Sequence, residues 1–144
     1  MIQAYRQAQT TNQKILEGVR TAFLLFNLVA CPMYLVEISL LGHWLESWSS
    51  RWPYLAMLLG FIATAMILTN RKAGVRTFFI VVMAFLAITG VAGFLFHLIY
   101  NFEGEISWAA KDTLDALEGS RPVLAPLAFA HIGLVGLLCM YKAD

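Results

Sequence analysis

Three ionisable side chains lie inside apolar runs of this 144-residue sequence. Glu37 stands in CPMYLVEISLL, His97 in GFLFHLIYN and His131 in PLAFAHIGLVG. An ionisable group in the apolar part of a membrane helix costs free energy, so each is a candidate functional residue. A carboxylate and imidazoles can exchange protons, hold a metal ion or bind a polar head group. Glu37, His97 and His131 are therefore the candidate site.

Three kinds of site fit these residues. His97 and His131 could be the two axial ligands of a b-type haem. Glu37, paired with either histidine, could instead line a pocket for a quinone head group, a proton, zinc or iron, because burial and a nearby charge bring the pKa values of Glu and His together. The third possibility is structural, with the same groups forming hydrogen bonds between helices. The residue types alone leave all three open.

Four apolar segments determine where these residues lie. The chain is 60% hydrophobic and 13% charged, with a mean hydropathy of +0.70, which is typical of an integral membrane protein. A helix needs about 20 apolar residues to span the hydrocarbon core. Each segment must be helical, because lipid offers no partner for unpaired backbone groups. We predict a single all-α domain, an antiparallel bundle of four membrane-spanning helices at 21–41, 54–69, 75–100 and 122–141.

Basic residues are unevenly distributed between the two sides of these segments. Seven lie on the side of both termini: Arg6, Lys14, Arg20, Arg71, Lys72, Arg76 and Lys142. Three lie on the other side: Arg51, Lys111 and Arg121. Since cytoplasmic loops carry the excess of Lys and Arg, both termini are predicted to be cytoplasmic. The predicted location is a bacterial inner membrane.

The connection between the third and fourth segments has a helical pattern of its own. In EISWAAKDTLDALEG, apolar residues recur at helical spacing and acidic residues occupy the rest of the wheel. We predict an amphipathic helix over residues 105–118, outside the membrane, with Ser107 as its cap and Gly119 after its end. It should lie across the outer ends of the bundle. Such a helix either seals the bundle or docks a partner protein.

The three candidate site residues should converge in the outer half of the bundle. Segments one and three end on the outer side, and segment four begins there. On segment three, one helical stripe contains Leu86, Gly90, Gly93 or Phe94, His97 and Asn101. On segment four, the stripe expected to face it contains Leu127 or Ala128, His131, Val135 and Leu138. His131 is expected to lie about 6 Å deeper than His97, an offset that helix tilt could absorb if both bind one haem.

The motifs of several function classes are missing from the sequence. It has no phosphate-binding glycine loop, nucleophile elbow, HExxH or paired-cysteine motif, and no basic, aromatic pattern typical of nucleic-acid binding. Its length leaves little room for a catalytic domain. We expect a small accessory or anchoring subunit that binds other membrane-protein subunits in the lipid bilayer, redox-linked through Glu37, His97 and His131. The alternatives are a small oxidoreductase or electron carrier binding b-type haem or quinone, and a small oligomeric transporter.

Overall fold

The computed structural model describes residues 10–45, 47–102 and 106–141 of the chain. Over these residues the prediction of an all-helical protein is confirmed, with five α-helices: α1 (Thr11–Leu40), α2 (Trp52–Thr69), α3 (Ala73–Asn101), α4 (Ala110–Leu117) and α5 (Leu127–Met140). Two 3-10 turns, His43–Leu45 and Ser49–Arg51, connect α1 to α2. Helices α1, α2 and α3 are long and apolar enough to cross a membrane, whereas α5 is a shorter apolar helix.

Local signals in the sequence explain where α1 begins and where it ends. Thr10 forms a capping box with Gln13: the Thr10 hydroxyl accepts from the Gln13 backbone N–H at 3.3 Å, and the Gln13 side chain accepts from the Thr10 N–H at 3.1 Å. Gly42 follows the helix with a φ of 69°, a conformation that L-residues with side chains rarely adopt. The chain therefore turns at Gly42 and places His43 back over the end of the bundle.

Helix α5 begins five residues later than the predicted start of segment four. Pro122 and Pro126 have no N–H to donate to a helical ladder. The intervening backbone forms tight turns instead, with Ala125 N–H donating to the Pro122 carbonyl at 3.3 Å and Leu127 N–H donating to the Leu124 carbonyl at 3.1 Å. The 14 residues of α5 extend over roughly 21 Å at 1.5 Å per residue.

The amphipathic helix of the connection is also shorter than predicted. Helix α4 has eight residues, and Ala109 precedes it without a side-chain cap. The Ser107 hydroxyl accepts a hydrogen bond from Ala109 N–H at 3.4 Å, so it stabilises the turn before the helix instead of capping it. Position 105, the predicted first residue, lies outside the described residues.

Helices α3 and α5 approach each other until their backbones touch. A Cβ atom added at Gly90 would lie 2.2 Å from the Ala130 nitrogen, and one added at Gly133 would lie 2.5 Å from the Met83 carbonyl oxygen. Between helices in lipid there is no hydrophobic driving force, so close packing of small residues holds such pairs together. Gly90 and Gly133 therefore determine which faces of α3 and α5 meet.

The face of α5 that packs inward is not the predicted one. Its buried residues are Phe129, Ala130, Ile132, Gly133, Gly136, Cys139 and Met140. His131 and Leu138 are exposed, so the predicted stripe that contains them is wrong. The reason is physical: small residues at 130, 133 and 136 allow the closest approach to α3, and that contact turns His131 outward. The predicted stripe of α3 is confirmed for Leu86, Gly90 and Asn101, which are buried.

One buried amide links α1 to α5 in the middle of the bundle. The Asn27 side chain is fully buried, and its Nδ2 donates to the Ile132 carbonyl at 3.1 Å. Its Oδ1 has no partner among the residues that the structure describes. A hydrogen bond between helices at this depth contributes to their association because lipid cannot replace it.

We expect the change Gly90→Ala to destabilise the protein and the same change at Gly74, at the exposed start of α3, to leave its stability unchanged or slightly higher. The methyl group at position 90 would meet the α5 backbone, whereas at position 74 nothing lies within 4 Å of it. Overpacking of this kind costs about 1–3 kcal/mol. The midpoint temperature of thermal unfolding in mild detergent compares the stability of both variants with that of the unaltered chain. Equal stability of Gly90→Ala and Gly74→Ala would contradict the close contact.

Candidate functional site

His97 fastens α3 to the segment that leads into α5. Its Nδ1 lies 3.1 Å from the Pro122 carbonyl oxygen. Because a carbonyl oxygen can only accept, Nδ1 is the donor, and in the neutral ring Nε2 is then the nitrogen with a free lone pair. The same Pro122 carbonyl oxygen also accepts from Ala125 N–H. One acceptor therefore closes the proline turn and binds the histidine ring.

The imidazole nearest to His97 is that of His43, which the sequence places at the outer surface after segment one, near the candidate site residues but not among them. The centroids of the two rings lie 6.5 Å apart, with an angle of 64° between the ring planes. Both residues are half-buried at the end of the bundle where α1 and α3 end. The signal that could have identified the pair is Gly42, since a turn at that position reverses the chain and returns His43 to the bundle.

His131 lies deeper in the bundle than His97. Along the axis of α3, Gly90 is opposite Ala130 and His97 is opposite Pro122. Gly90 and His97 are seven residues apart, so Ala130, the neighbour of His131, lies about 10 Å from His97 along that axis. The aromatic neighbour of His131 is Phe26 of α1, at 6.5 Å between ring centroids. The α3–α5 register therefore separates the two histidines along the bundle axis. A haem with His97 and His131 as ligands stays a prediction, and this register gives it no support.

Glu37 lies on the side of α1 that faces away from the other helices. It is 11 residues after Phe26, which is about three helical turns, so the two share a face and differ in depth by about 16 Å. The Glu37 side chain is exposed, and its carboxylate forms no hydrogen bond or ion pair with any residue in the described ranges. No group of three or more His, Cys, Asp or Glu side chains in those ranges is arranged to hold a metal ion.

Asn101, the last residue of α3, organises the connection that follows it. Its Nδ2 donates to the carbonyls of Ala116 and Arg121, both at 2.9 Å, and its Oδ1 accepts from the Arg121 backbone N–H at 3.1 Å. The loop passes so close that a Cβ atom at Gly119 would lie 2.5 Å from Asn101 Cγ. Sequence reasoning placed Asn101 on the correct face of α3 and missed this function.

Apolar and aromatic contacts complete the attachment of the connection. Ala116 packs with Leu98 and Val123 in a small buried cluster. The Arg121 guanidinium lies 3.7 Å from the centre of the Tyr100 ring, a cation–π contact. Trp44, Trp48 and Trp52 follow α1, and Trp108 lies in the connection, so we call this the tryptophan end of the bundle.

The opposite end of the bundle is held by arginines. Glu17, which precedes the apolar part of α1, forms salt bridges with Arg20 at 2.7 Å and with Arg71 of the α2–α3 connection. Arg20 is buried and donates to the Tyr141 carbonyl at 2.6 Å. Burial raises the pKa of Glu17, but hydrogen bonds and charge from Arg71 and Arg20 outweigh burial and leave its pKa below the ordinary value. This arginine end therefore joins α1, the α2–α3 connection and the end of α5.

We expect Asn101→Leu to release the connection without unfolding the bundle. The change removes three hydrogen bonds and leaves the Arg121 N–H without its acceptor, a loss of about 1–3 kcal/mol for a buried group. Limited trypsin digestion should then cleave after Lys111, which is exposed in α4, several-fold faster than in the unaltered chain. Asn70→Leu, in the exposed α2–α3 connection, is the matched control. Unchanged cleavage after Lys111 in Asn101→Leu would contradict the anchoring role.

The comparisons with known proteins yield no relative. No protein-family model, curated protein or solved structure matches this chain. A functional proposal therefore depends on three features described above: the exposed polar groups on α1 and α5, the histidine pair at the tryptophan end and the ion pairs at the arginine end.

Proposed function

We propose that this protein is a small accessory or anchoring subunit of a membrane-protein complex. The observation that carries the proposal is the exposure of Glu37 and His131 on the apolar surface of α1 and α5. Neither side chain forms a hydrogen bond or ion pair with a described residue. Polar groups facing lipid are costly, and in membrane proteins they face the interior or a partner. A neighbouring subunit with complementary polar groups would remove that cost.

The face that would meet the partner can be defined by its residues. Phe26, Met33 and Glu37 share one face of α1, because seven and 11 residues are close to two and three helical turns. His131 of α5 lies beside Phe26, so it belongs to the same surface. We call this the Glu37 face. The interior of the bundle is filled by apolar side chains such as Leu24, Met57 and Leu86.

The proposal includes a membrane topology. In it, α1, α2, α3 and α5 all cross a bacterial inner membrane as a four-span bundle, with both termini in the cytoplasm. Arg20, Arg71 and Arg76 lie at one end and the tryptophans at the other, which agrees with the enrichment of basic residues on the cytoplasmic side and of indole rings at the interface. The turns before α5 lengthen the fourth span beyond its roughly 21 Å of helix.

A photo-crosslinking amino acid at Met33 tests the proposed partner face. Met33 is 66% exposed, and Ile88, in an apolar groove between α3 and α5, is a matched control at 67%. We expect a discrete protein adduct from position 33 and none from position 88 in native membranes. Adding Glu37→Leu should lower the yield of the adduct several-fold, because the polar contact is lost.

Two results of that experiment would contradict the accessory role. The first is labelling of lipid alone at both positions, which would mean that the Glu37 face has no partner. The second is an adduct of twice the 16.1 kDa chain mass and nothing else, which would indicate a homo-oligomer and favour the transporter alternative.

The redox part of the proposal concerns b-type haem or quinone, and one observation favours it. The Nδ1 of His97 donates to a backbone carbonyl, as the second nitrogen of an iron-ligating histidine commonly does. Haem ligation by His97 predicts that dithionite-reduced protein, purified in mild detergent, shows sharp haem bands that vanish in His97→Ala. If the spectrum of well-folded protein is featureless, the haem alternative is wrong and the accessory role is unaffected.

A further inference from the structure

The two histidines of the tryptophan end lie close enough for a small side-chain movement to bring both onto one metal ion. Two nitrogens bound to the same ion lie roughly 3–4 Å apart, since each metal–nitrogen bond is about 2.0–2.1 Å. The ring centroids of His43 and His97 are 6.5 Å apart. After about 1 Å of ring radius is subtracted on each side, about 4.5 Å is left between the nearest ring edges, so side-chain movements that bring the two rings about 0.5–1.5 Å closer would place one nitrogen of each at the required distance.

The hydrogen bond of His97 prepares the ring for this role. Metal-ligating histidines nearly always donate their other N–H to a carboxylate, a backbone carbonyl or water, which sets the tautomer and the ring orientation. His97 donates from Nδ1 to the Pro122 carbonyl, so Nε2 carries the free lone pair. Pro122 lies in a turn closed by Ala125, and this acceptor is therefore held in place by the backbone.

We propose that His43 and His97 form a binding site for a divalent transition-metal ion, with Cu²⁺ bound most tightly. Two imidazoles supply the protein ligands, and water fills the remaining positions. Imidazole suits copper, zinc and nickel, and affinity for a given site generally rises from nickel to copper and falls at zinc. Mg²⁺ and Ca²⁺ prefer oxygen ligands and are excluded by this donor set. The site does not depend on the accessory role, and it is an alternative to haem ligation by His97, because both would use Nε2 of that ring.

The location of the pair allows an ion to enter. Both histidines are half-buried at the tryptophan end of the bundle, so part of each ring is left uncovered by the protein. Trp44 follows His43 directly, and its ring packs edge-on against Tyr54 at 5.2 Å between centroids. Because Cu²⁺ quenches nearby indole fluorescence, Trp44 serves as a reporter of binding.

The experiment is a Cu²⁺ titration of the full chain in mild detergent, produced without a polyhistidine tag. The chain has three histidines, so the variants His43→Ala, His97→Ala and His131→Ala test each of them. We expect one equivalent of Cu²⁺ to quench tryptophan fluorescence and to show two coordinating nitrogens by electron paramagnetic resonance. Binding should weaken at least tenfold in His43→Ala and His97→Ala, and should be unchanged in His131→Ala.

His43→Ala is the deciding variant, because it leaves the His97–Pro122 hydrogen bond in place while His97→Ala removes it. Ni²⁺ is a second probe that does not oxidise the thiols of Cys31 and Cys139, and its binding should depend on His43 in the same way. If His43→Ala binds Cu²⁺ and Ni²⁺ as tightly as the unaltered chain, or if binding is lost in His131→Ala instead, the proposed site is wrong.

Discussion

The contact between the backbones of α3 and α5 is the constraint on which the remaining arrangement depends. Gly90 and Gly133 leave no space for a side chain between the two helices, so this close rotational setting requires glycine at both positions. In lipid, such contacts replace the hydrophobic effect as the source of helix association. Once α5 is seated, the Pro122 carbonyl reaches His97, and the Arg121 backbone reaches Asn101.

The same rotation of α5 divides the polar groups into two classes. Groups that face inward are used for attachment: Asn27 binds the Ile132 carbonyl, and Thr64 donates to the Gly60 carbonyl within its own helix at 2.7 Å. His131 and Glu37 face outward, away from these partners. The inward-facing polar groups therefore stabilise the bundle, whereas the outward-facing groups and those at its two ends are available to bind other molecules.

The sequence predicted the helices better than it predicted the site, for physical reasons that particular residues make clear. Apolar length located α1, α2 and α3 because a membrane span has a minimum length. Hydropathy could not predict the rotation of α5, since that helix is apolar on every side and only Ala130, Gly133 and Gly136 distinguish its packing face. The pairing of His97 with His43 depends on the turn at Gly42, which involves a backbone conformation and no periodic pattern.

The depths of Glu37 and His131 determine how strongly each argues for a partner. Glu37 is three residues from the end of α1, about 4–5 Å, so its flexible side chain can extend toward the interface and lower its cost. In the proposed four-span topology His131 lies about three turns deeper, by its contact with Phe26, and a short imidazole cannot reach water from there. An unpaired ring N–H in an apolar environment costs about 1–3 kcal/mol, and no hydrogen bond to a described residue offsets that cost. His131, which packing turned outward, is thus the stronger reason to expect a neighbouring subunit on the Glu37 face.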